Sequence, residues 1–213
     1  MSSVAVIDYG MGNLHSIAKA LQHANAEVDV QITADPRIIE AADRVVFPGV
    51  GAIRDCMLAL QESGLAITIK QIAAEKPLLG ICLGMHALLS DSDEGGNTQC
   101  LDIISGHVRR FADDLTDVDG QRLKIPHMGW NQVRQLPHPL WQDIPQDSRF
   151  YFVHSYYAIP AHSEDTIATS EYPLPFTCAL ARNNIFAVQF HPEKSQTAGL
   201  QLLKNFLHWD GAL

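Results

Sequence analysis

Apolar residues fall in short blocks along the first third of the chain, with helical patterns between them. Val4 to Ile7 reads as a short buried strand, Leu14 to Ala24 as a helix, and Glu27 to Ile32 and Arg44 to Phe47 as a second and a third strand. Each strand runs into a glycine-bearing loop or a helix, the signature of βα units around a mostly parallel sheet. Lys76 to Leu89 (KPLLGICLGMHALL) continues the series with a buried strand at Leu78 to Ile81, a tight turn at Cys82 and a helix from about Gly84. Ser90 to Gln99 is polar and turn-rich and reads as a solvated loop. From Gly106 to about Phe190 short β-rich runs alternate with Pro, Gly, Asn and Asp, which predicts antiparallel hairpins added to the parallel core. Pro137-His138-Pro139 and Ala161 to Asp165 mark turns there. Ser195 to Trp209 carries Leu200, Leu203, Phe206 and Leu207 at helical spacing, as expected of a C-terminal amphipathic helix packed on the sheet. The pattern predicts one α/β domain over residues 1–213.

Composition narrows the function classes. A chain of 213 residues with 46% hydrophobic and 18% charged residues can bury a sizeable core. Its formal net charge of -9, with no basic stripe, argues against a nucleic-acid or anionic-membrane surface. Cys56, Cys82, Cys100 and Cys178 are widely spaced with no C-x-x-C, so neither a disulfide framework nor a zinc ribbon is indicated, and a reducing cytoplasm fits best. No apolar run approaches the roughly 20 residues that span a bilayer, and the N-terminus lacks a basic n-region and cleavage site, so a soluble, unprocessed chain is expected. Ten histidines include no H-E-x-x-H and no pair at i, i+4, which argues against a metal site, and no motif requires a cofactor.

In a parallel sheet, ligands bind beyond the carboxyl ends of the strands, and three loops leave those ends here. Asp8 to Asn13 (DYGMGN) lacks the third glycine of a dinucleotide fingerprint, His15 standing in its place. Pro48 to Ala52 (PGVGA) lacks the Lys-Ser/Thr of a phosphate loop. Its glycines let backbone N–H groups approach a ligand, so it reads either as an oxyanion-binding loop or as a plain turn. The third loop holds Gly80, Cys82 and Gly84 in a G-x-C-x-G pattern, the cysteine counterpart of the G-x-S-x-G nucleophile elbow. A thiol at that turn would sit at a helix N-terminus, where N–H groups favour a thiolate and a developing oxyanion. The plainer reading is a packed core cysteine. Far downstream, Ile185 to Glu193 (IFAVQFHPE) reads as a buried strand ending in His191, with Pro192 stopping it and Glu193 following. A cysteine nucleophile needs a base and a group to orient that base, and Cys82, His191 and Glu193 supply the three types.

A G-[IV]-C-L-G elbow paired with F-H-P-E resembles the class I (triad) glutamine amidotransferases. IDYGMGNLHS (Ile7 to Ser16), PGVGA, KIPHMGWN (Lys124 to Asn131), YFVHSYY (Tyr151 to Tyr157) and FHPEKSQTAGL (Phe190 to Leu200) narrow the resemblance to the glutaminase subunits of imidazole glycerol phosphate synthase. The resemblance implies a flavodoxin-like fold, a single glutamine amidotransferase type 1 domain and hydrolysis of glutamine through a γ-glutamyl thioester. Cys82 would attack, His191 would shuttle protons and Glu193 would orient His191. The N–H of Leu83 and a backbone N–H from Gly49, Val50 or Gly51 would hold the oxyanion. Position 86, Glu94 (toward the substrate's α-amino group) and the backbone at Ser155 and Tyr156 would hold glutamine. The implied partner is a (β/α)8-barrel cyclase in the fifth step of histidine biosynthesis, which takes the ammonia in a heterodimer, with Asn13, Trp130, Tyr151 and Lys194 at or near its face. Lys194 and Trp130 also read as ordinary surface and core residues.

One position departs from the family's pattern. His86 stands where a glutamine is usual, and an imidazole differs in shape from a primary amide and takes up a proton below about pH 6.5. An altered glutamine affinity or pH profile is therefore expected. A paralogous subunit feeding ammonia to another synthase, as in surface-sugar pathways, and a non-catalytic regulatory subunit stay open as alternatives.

Overall fold

Strands buried on both faces must be apolar along their whole length. The apolar blocks at Val4 to Ile7, Val45 to Phe47 and Leu78 to Ile81 form such strands, while Asp29–Thr33 at the sheet edge is only partly buried. The computed structural model describes residues 2–117 and 119–212. The first part of the chain runs β1 (Ser3–Ile7), α1 (Leu14–Ala24), β2 (Asp29–Thr33), α2 (Pro36–Ala41), β3 (Arg44–Gly49), α3 (Ile53–Glu62), α4 (Leu65–Glu75), β4 (Leu78–Cys82) and α5 (Leu83–Ala87). β5 (Asp91–Ser92), β6 (Thr98–Gln99), β7 (Gly106–Arg110), β8 (His127–Gln132), β9 (Arg134–Gln135), β10 (Arg149–His154), β11 (Tyr156–Pro160), β12 (Thr166–Glu171), β13 (Pro175–Arg182), β14 (Ile185–Val188) and α6 (Gln196–His208) follow.

The main sheet runs β2-β1-β3-β4-β14-β13-β11-β7-β5-β6, with β12 and β9 branching from β13. Pairings from β2 to β14 are parallel, and those joining β14, β13, β11 and β7 are antiparallel. Alternation along β1 splits the core: Val4 and Val6 pack with α1, α6 and Phe150, Phe152 and Phe190, while Ala5 and Ile7 pack with α3 and α4 on the other face. In α1, Leu14, Ile17, Ala18 and Leu21 form the buried stripe that the helical spacing predicts. Truncating a fully buried aromatic such as Phe190 would cost about 3–5 kcal/mol.

Two expectations need correction. Ser90 to Gln99 is not a plain solvated loop: β5 pairs with β7 and β6 with β5, an edge addition made by backbone bonds that an apolar pattern does not register. The strand expected to end at His191 ends at Val188, so His191 lies in the connection to α6. The helix after Cys82 is five residues long. Among the described residues no helix is long and apolar enough to cross a membrane.

β8 and β10 stand apart as a two-stranded antiparallel ribbon, in which Tyr151 pairs with Trp130 and His154 with His127.

Candidate active site

The sharp turn from β4 into α5 depends on two glycines. Cys82 adopts φ 54° and ψ -109°, a conformation rare for a side-chain-bearing residue and worth about 1–3 kcal/mol of strain. A Cβ at Gly84 would lie 2.0 Å from the Phe47 carbonyl oxygen, and one at Gly80 would lie 3.0 Å from the Ala187 Cβ. Only hydrogen fits at Gly84, which lets the elbow press against β3. Gly49, the last residue of β3, pairs in register with Cys82. Leu83 opens α5, and the N–H groups of a helix's first turn have no partner within the helix.

His191 reaches Cys82 from β14, which pairs Val188 with Ile81 and so ends beside the elbow. Its backbone is held on both sides. The His191 N–H donates to the Tyr151 carbonyl at 2.9 Å, while Ser195 Oγ donates to the His191 carbonyl at 2.6 Å and accepts the Tyr151 N–H at 3.0 Å. Pro192 opens a 3-10 turn that brings Glu193 back onto the imidazole, with Oε1 2.9 Å from His191 Nδ1 and both side chains almost fully buried. The carboxylate requires Nδ1 to carry a proton, which leaves Nε2 for proton transfer; Nε2 is buried with no hydrogen-bond partner. Burial lowers the basicity of His191, but the adjacent Cys82 and the hydrogen-bonded Glu193 carboxylate outweigh it and raise its pKa to about 10. Cys82 and His191 line the same pocket.

A pocket of about 270 Å³ opens over Cys82. It brings together nine of the residues the sequence singles out: Val50, Gly51, Cys82, Leu83, His86, Glu94, Ser155, Tyr156 and His191. Pro126, Val153 and His154 complete the wall. Gly49 and Glu193 sit behind it, the first paired to Cys82 and the second to His191. Glu94 accepts the Ile53 N–H at 3.0 Å, fixing the start of α3 where the glycine loop ends, and burial raises its pKa.

The other end of that loop is held by Tyr9, whose hydroxyl donates to the Pro48 carbonyl at 2.9 Å. The DYGMGN loop thus has a visible task, since Tyr9 and Met11 both pack where a Cβ on Gly49 or Gly51 would go.

His86 is buried and 2.6 Å from Gln189 Oε1. An amide oxygen can only accept, so His86 donates through Nε2 and keeps a lone pair on Nδ1. The Gln189 amide nitrogen lies 3.9 Å from Cys82 Sγ. Protonation of His86 below about pH 6.5 is overturned, because burial lowers its pKa to about 4.

Trp130 and Tyr151 meet edge to face with ring centroids 6.1 Å apart, and Lys194 Nζ stands 5.8 Å from the Tyr151 ring. At 43% exposure Trp130 is not a core residue. Asn13 is exposed at the start of α1, and its side chain makes no capping bond. Among the described residues no cluster of three or more His, Cys, Asp or Glu side chains could hold a metal ion.

Sequence reasoning missed Gln189, Ser195, Tyr9, His127 and His154. A glutamine inside IFAVQF was the one available signal for Gln189, since a polar residue in a buried strand needs a partner.

A sequence model of the family described as glutamine amidotransferase class-I matches residues 5–209. Over 212 residues the chain is 64% identical to the imidazole glycerol phosphate synthase subunit HisH of Methylococcus capsulatus, covering 99% of this chain and 98% of that one. It is 58% identical to the subunit of the same name from Nitrosococcus oceani, covering 99% of each. Among solved structures, a glutamine amidotransferase superposes with a TM-score of 0.72 at 16% identity, over 96% of this chain and 97% of that one. PurLQS from Thermotoga maritima gives 0.71 at 14% identity over 97% and 98%. These two likenesses establish the fold.

Proposed function

The chain belongs to the class-I glutamine amidotransferases and, within them, to the HisH subunits of imidazole glycerol phosphate synthase, and from that premise we propose how its residues divide the work. It is a glutaminase subunit of histidine biosynthesis. Cys82 Sγ, its proton carried on His191 Nε2, attacks the side-chain carbonyl carbon of glutamine as the thiolate. The carbonyl oxygen takes up the negative charge against the Leu83 N–H and an N–H of the Gly49 to Gly51 loop. His191 Nε2 gives its proton to the amide nitrogen, the C–N bond breaks, and ammonia leaves a γ-glutamyl thioester. Water then attacks the thioester while His191 takes its proton, releasing glutamate and restoring Cys82.

The observation that carries this reading is the His191 imidazole, held by Glu193 through Nδ1 at 2.9 Å with a free, buried Nε2 beside Cys82. A pKa raised to about 10 keeps on His191 at neutral pH the proton that the leaving nitrogen needs. Glutamine's backbone groups lie against Glu94, Ser155 and Tyr156, and its side chain passes His86 toward Cys82. The cluster of exposed Trp130 and Lys194 with half-buried Tyr151, together with Asn13, faces a (β/α)8-barrel cyclase, into which the ammonia passes. Four free cysteines fit a reducing cytoplasm.

The test is glutamate release by this chain alone, then with a histidine-pathway cyclase and its substrate, with Cys82→Ala as control. Stimulation by the cyclase that vanishes in Cys82→Ala is the expected result. Release that survives the substitution sinks the assignment of Cys82.

A further inference from the structure

KIPHMGWN and YFVHSYY each contribute a buried histidine to which neither the triad nor the glutamine contacts give a task. His127 and His154 are directly paired on the β8–β10 ribbon. His127 Nδ1 lies 2.8 Å from His154 Nε2, and His154 Nδ1 lies 2.8 Å from the Tyr156 carbonyl oxygen. At the other end, the Asn131 amide nitrogen lies 3.3 Å from His127 Nε2 and 2.8 Å from the Glu171 carbonyl oxygen, and its Oδ1 accepts the Gln132 N–H at 2.8 Å.

These contacts leave one assignment of protons for neutral rings. A carbonyl oxygen only accepts, so His154 Nδ1 carries hydrogen and its Nε2 accepts. His127 must then donate through Nδ1 and accept at Nε2. Asn131 fills that acceptor, and its own orientation is set by the Glu171 carbonyl and the Gln132 N–H. Every bond runs the same way, from Asn131 through His127 and His154 to the Tyr156 carbonyl. Burial supports neutrality: the His127 ring lies between Tyr172 and Phe152, with centroids 4.0 and 5.1 Å away, and the pKa values are lowered to about 4 for His127 and about 3 for His154. A second proton on either ring would set two donors face to face.

We propose that His127 and His154 are positioning residues, a one-way hydrogen-bond chain of fixed tautomers that ties the pocket wall at Ser155 and Tyr156 to the β8–β10 ribbon. The proposal rests on the reading of that pocket as the glutamine site. The ribbon also carries Trp130 and Tyr151, so one rigid element joins the proposed cyclase face to the wall against the substrate. Its effect falls on glutamine binding, because the chain ends on a carbonyl of the pocket wall and not on Cys82 or His191.

The test has two arms. In the complex with the cyclase, histidine-15N NMR at neutral pH is expected to show both rings as the Nδ1–H tautomer; an Nε2–H signal from either ring overturns the chain. The kinetic arm compares two amides at position 154. An asparagine amide reaches the place of Nδ1 and can still donate to the Tyr156 carbonyl, whereas a glutamine amide reaches the place of Nε2 and leaves that carbonyl without its donor. His154→Gln should raise the KM for glutamine about tenfold, with kcat changed by less than about threefold. His154→Asn should recover most of that loss. Equal KM for the two variants, or a loss confined to kcat, overturns the positioning role. Absence of glutamate release by the wild-type complex would instead count against the glutaminase reading, and the tautomers remain readable in that case.

Discussion

Replacing Glu193 by glutamine removes a negative charge 2.9 Å from His191 Nδ1 while keeping an oxygen that can accept the same hydrogen bond. The tautomer of His191 is therefore preserved, and what is lost is the charge-assisted part of the interaction. A hydrogen bond to a charged group contributes about 1.5–3 kcal/mol, which corresponds to a loss of roughly ten- to 150-fold in the rate of the step that uses imidazolium. His191 should also bind its proton less tightly, because Glu193 is one of two partners that raise its pKa to about 10. A buried imidazole that loses its counter-charge sheds its proton instead of staying as an unpaired ion. The assay is glutamate release by the cyclase complex across pH, with a thermal melt of the same preparation. A Glu193→Gln variant with wild-type kcat across pH would refute the argument that this carboxylate holds the working proton. The wild type carries a linked signature. The folded-state pKa of about 10 exceeds the unfolded value near 6.5, so the stability that His191 contributes is fully present below about pH 6.5 and is lost as pH rises through about 10. Urea melts should show that decline in the wild type and a flatter profile in Glu193→Gln.

Three further outcomes are expected. The KM for glutamine should show no step near pH 6.5 that disappears in His86→Gln, because burial holds the His86 pKa down at about 4; a step that the substitution abolishes would mean that His86 is solvated. Gly84→Ala should cost at least about 1–3 kcal/mol in denaturant melts, since its methyl group would fall 2.0 Å from the backbone oxygen of Phe47, and a neutral result would mean that the elbow yields freely. Tyr9→Phe leaves the buried Pro48 carbonyl without its donor and should cost about 1–3 kcal/mol, read as a Tm lower by roughly 2–4 °C per kcal/mol.

What the sequence disclosed divides by the range of the interaction. The spacing of Leu14, Ile17 and Leu21 announces α1, and the glycines around Cys82 announce the elbow, because each is a local requirement of backbone and burial. The pairing of Cys82 with His191 and Glu193 was legible only as a set of chemical types completed by resemblance. Contacts between distant segments left no periodic trace. Nothing in the pattern brings Gln189 to His86, Ser195 to the Tyr151 N–H, or Tyr9 to Pro48, since each is one polar group finding one partner after the sheet has formed. β5 and β6 went unread for a related reason, being short edge strands held by backbone bonds.

The histidines carry that point furthest. His86, His154 and His191 line one pocket and His127 is paired with His154; all four are buried, and burial disfavours the charged form of each. The first three meet only neutral hydrogen-bond partners: an amide oxygen for His86, another imidazole and an amide for His127, and an imidazole and a backbone carbonyl for His154. Their pKa values fall to about 4, 4 and 3. His191 is desolvated too, yet it faces a carboxylate and a cysteine, and its pKa rises to about 10. Between about pH 5 and 9 the site therefore holds one imidazolium among four imidazoles. That separation matters for the reaction, because a second positive charge near the pocket would compete for the oxyanion and repel the substrate's α-ammonium group. The neutrality of three histidines is as much part of the site as the charge on the fourth.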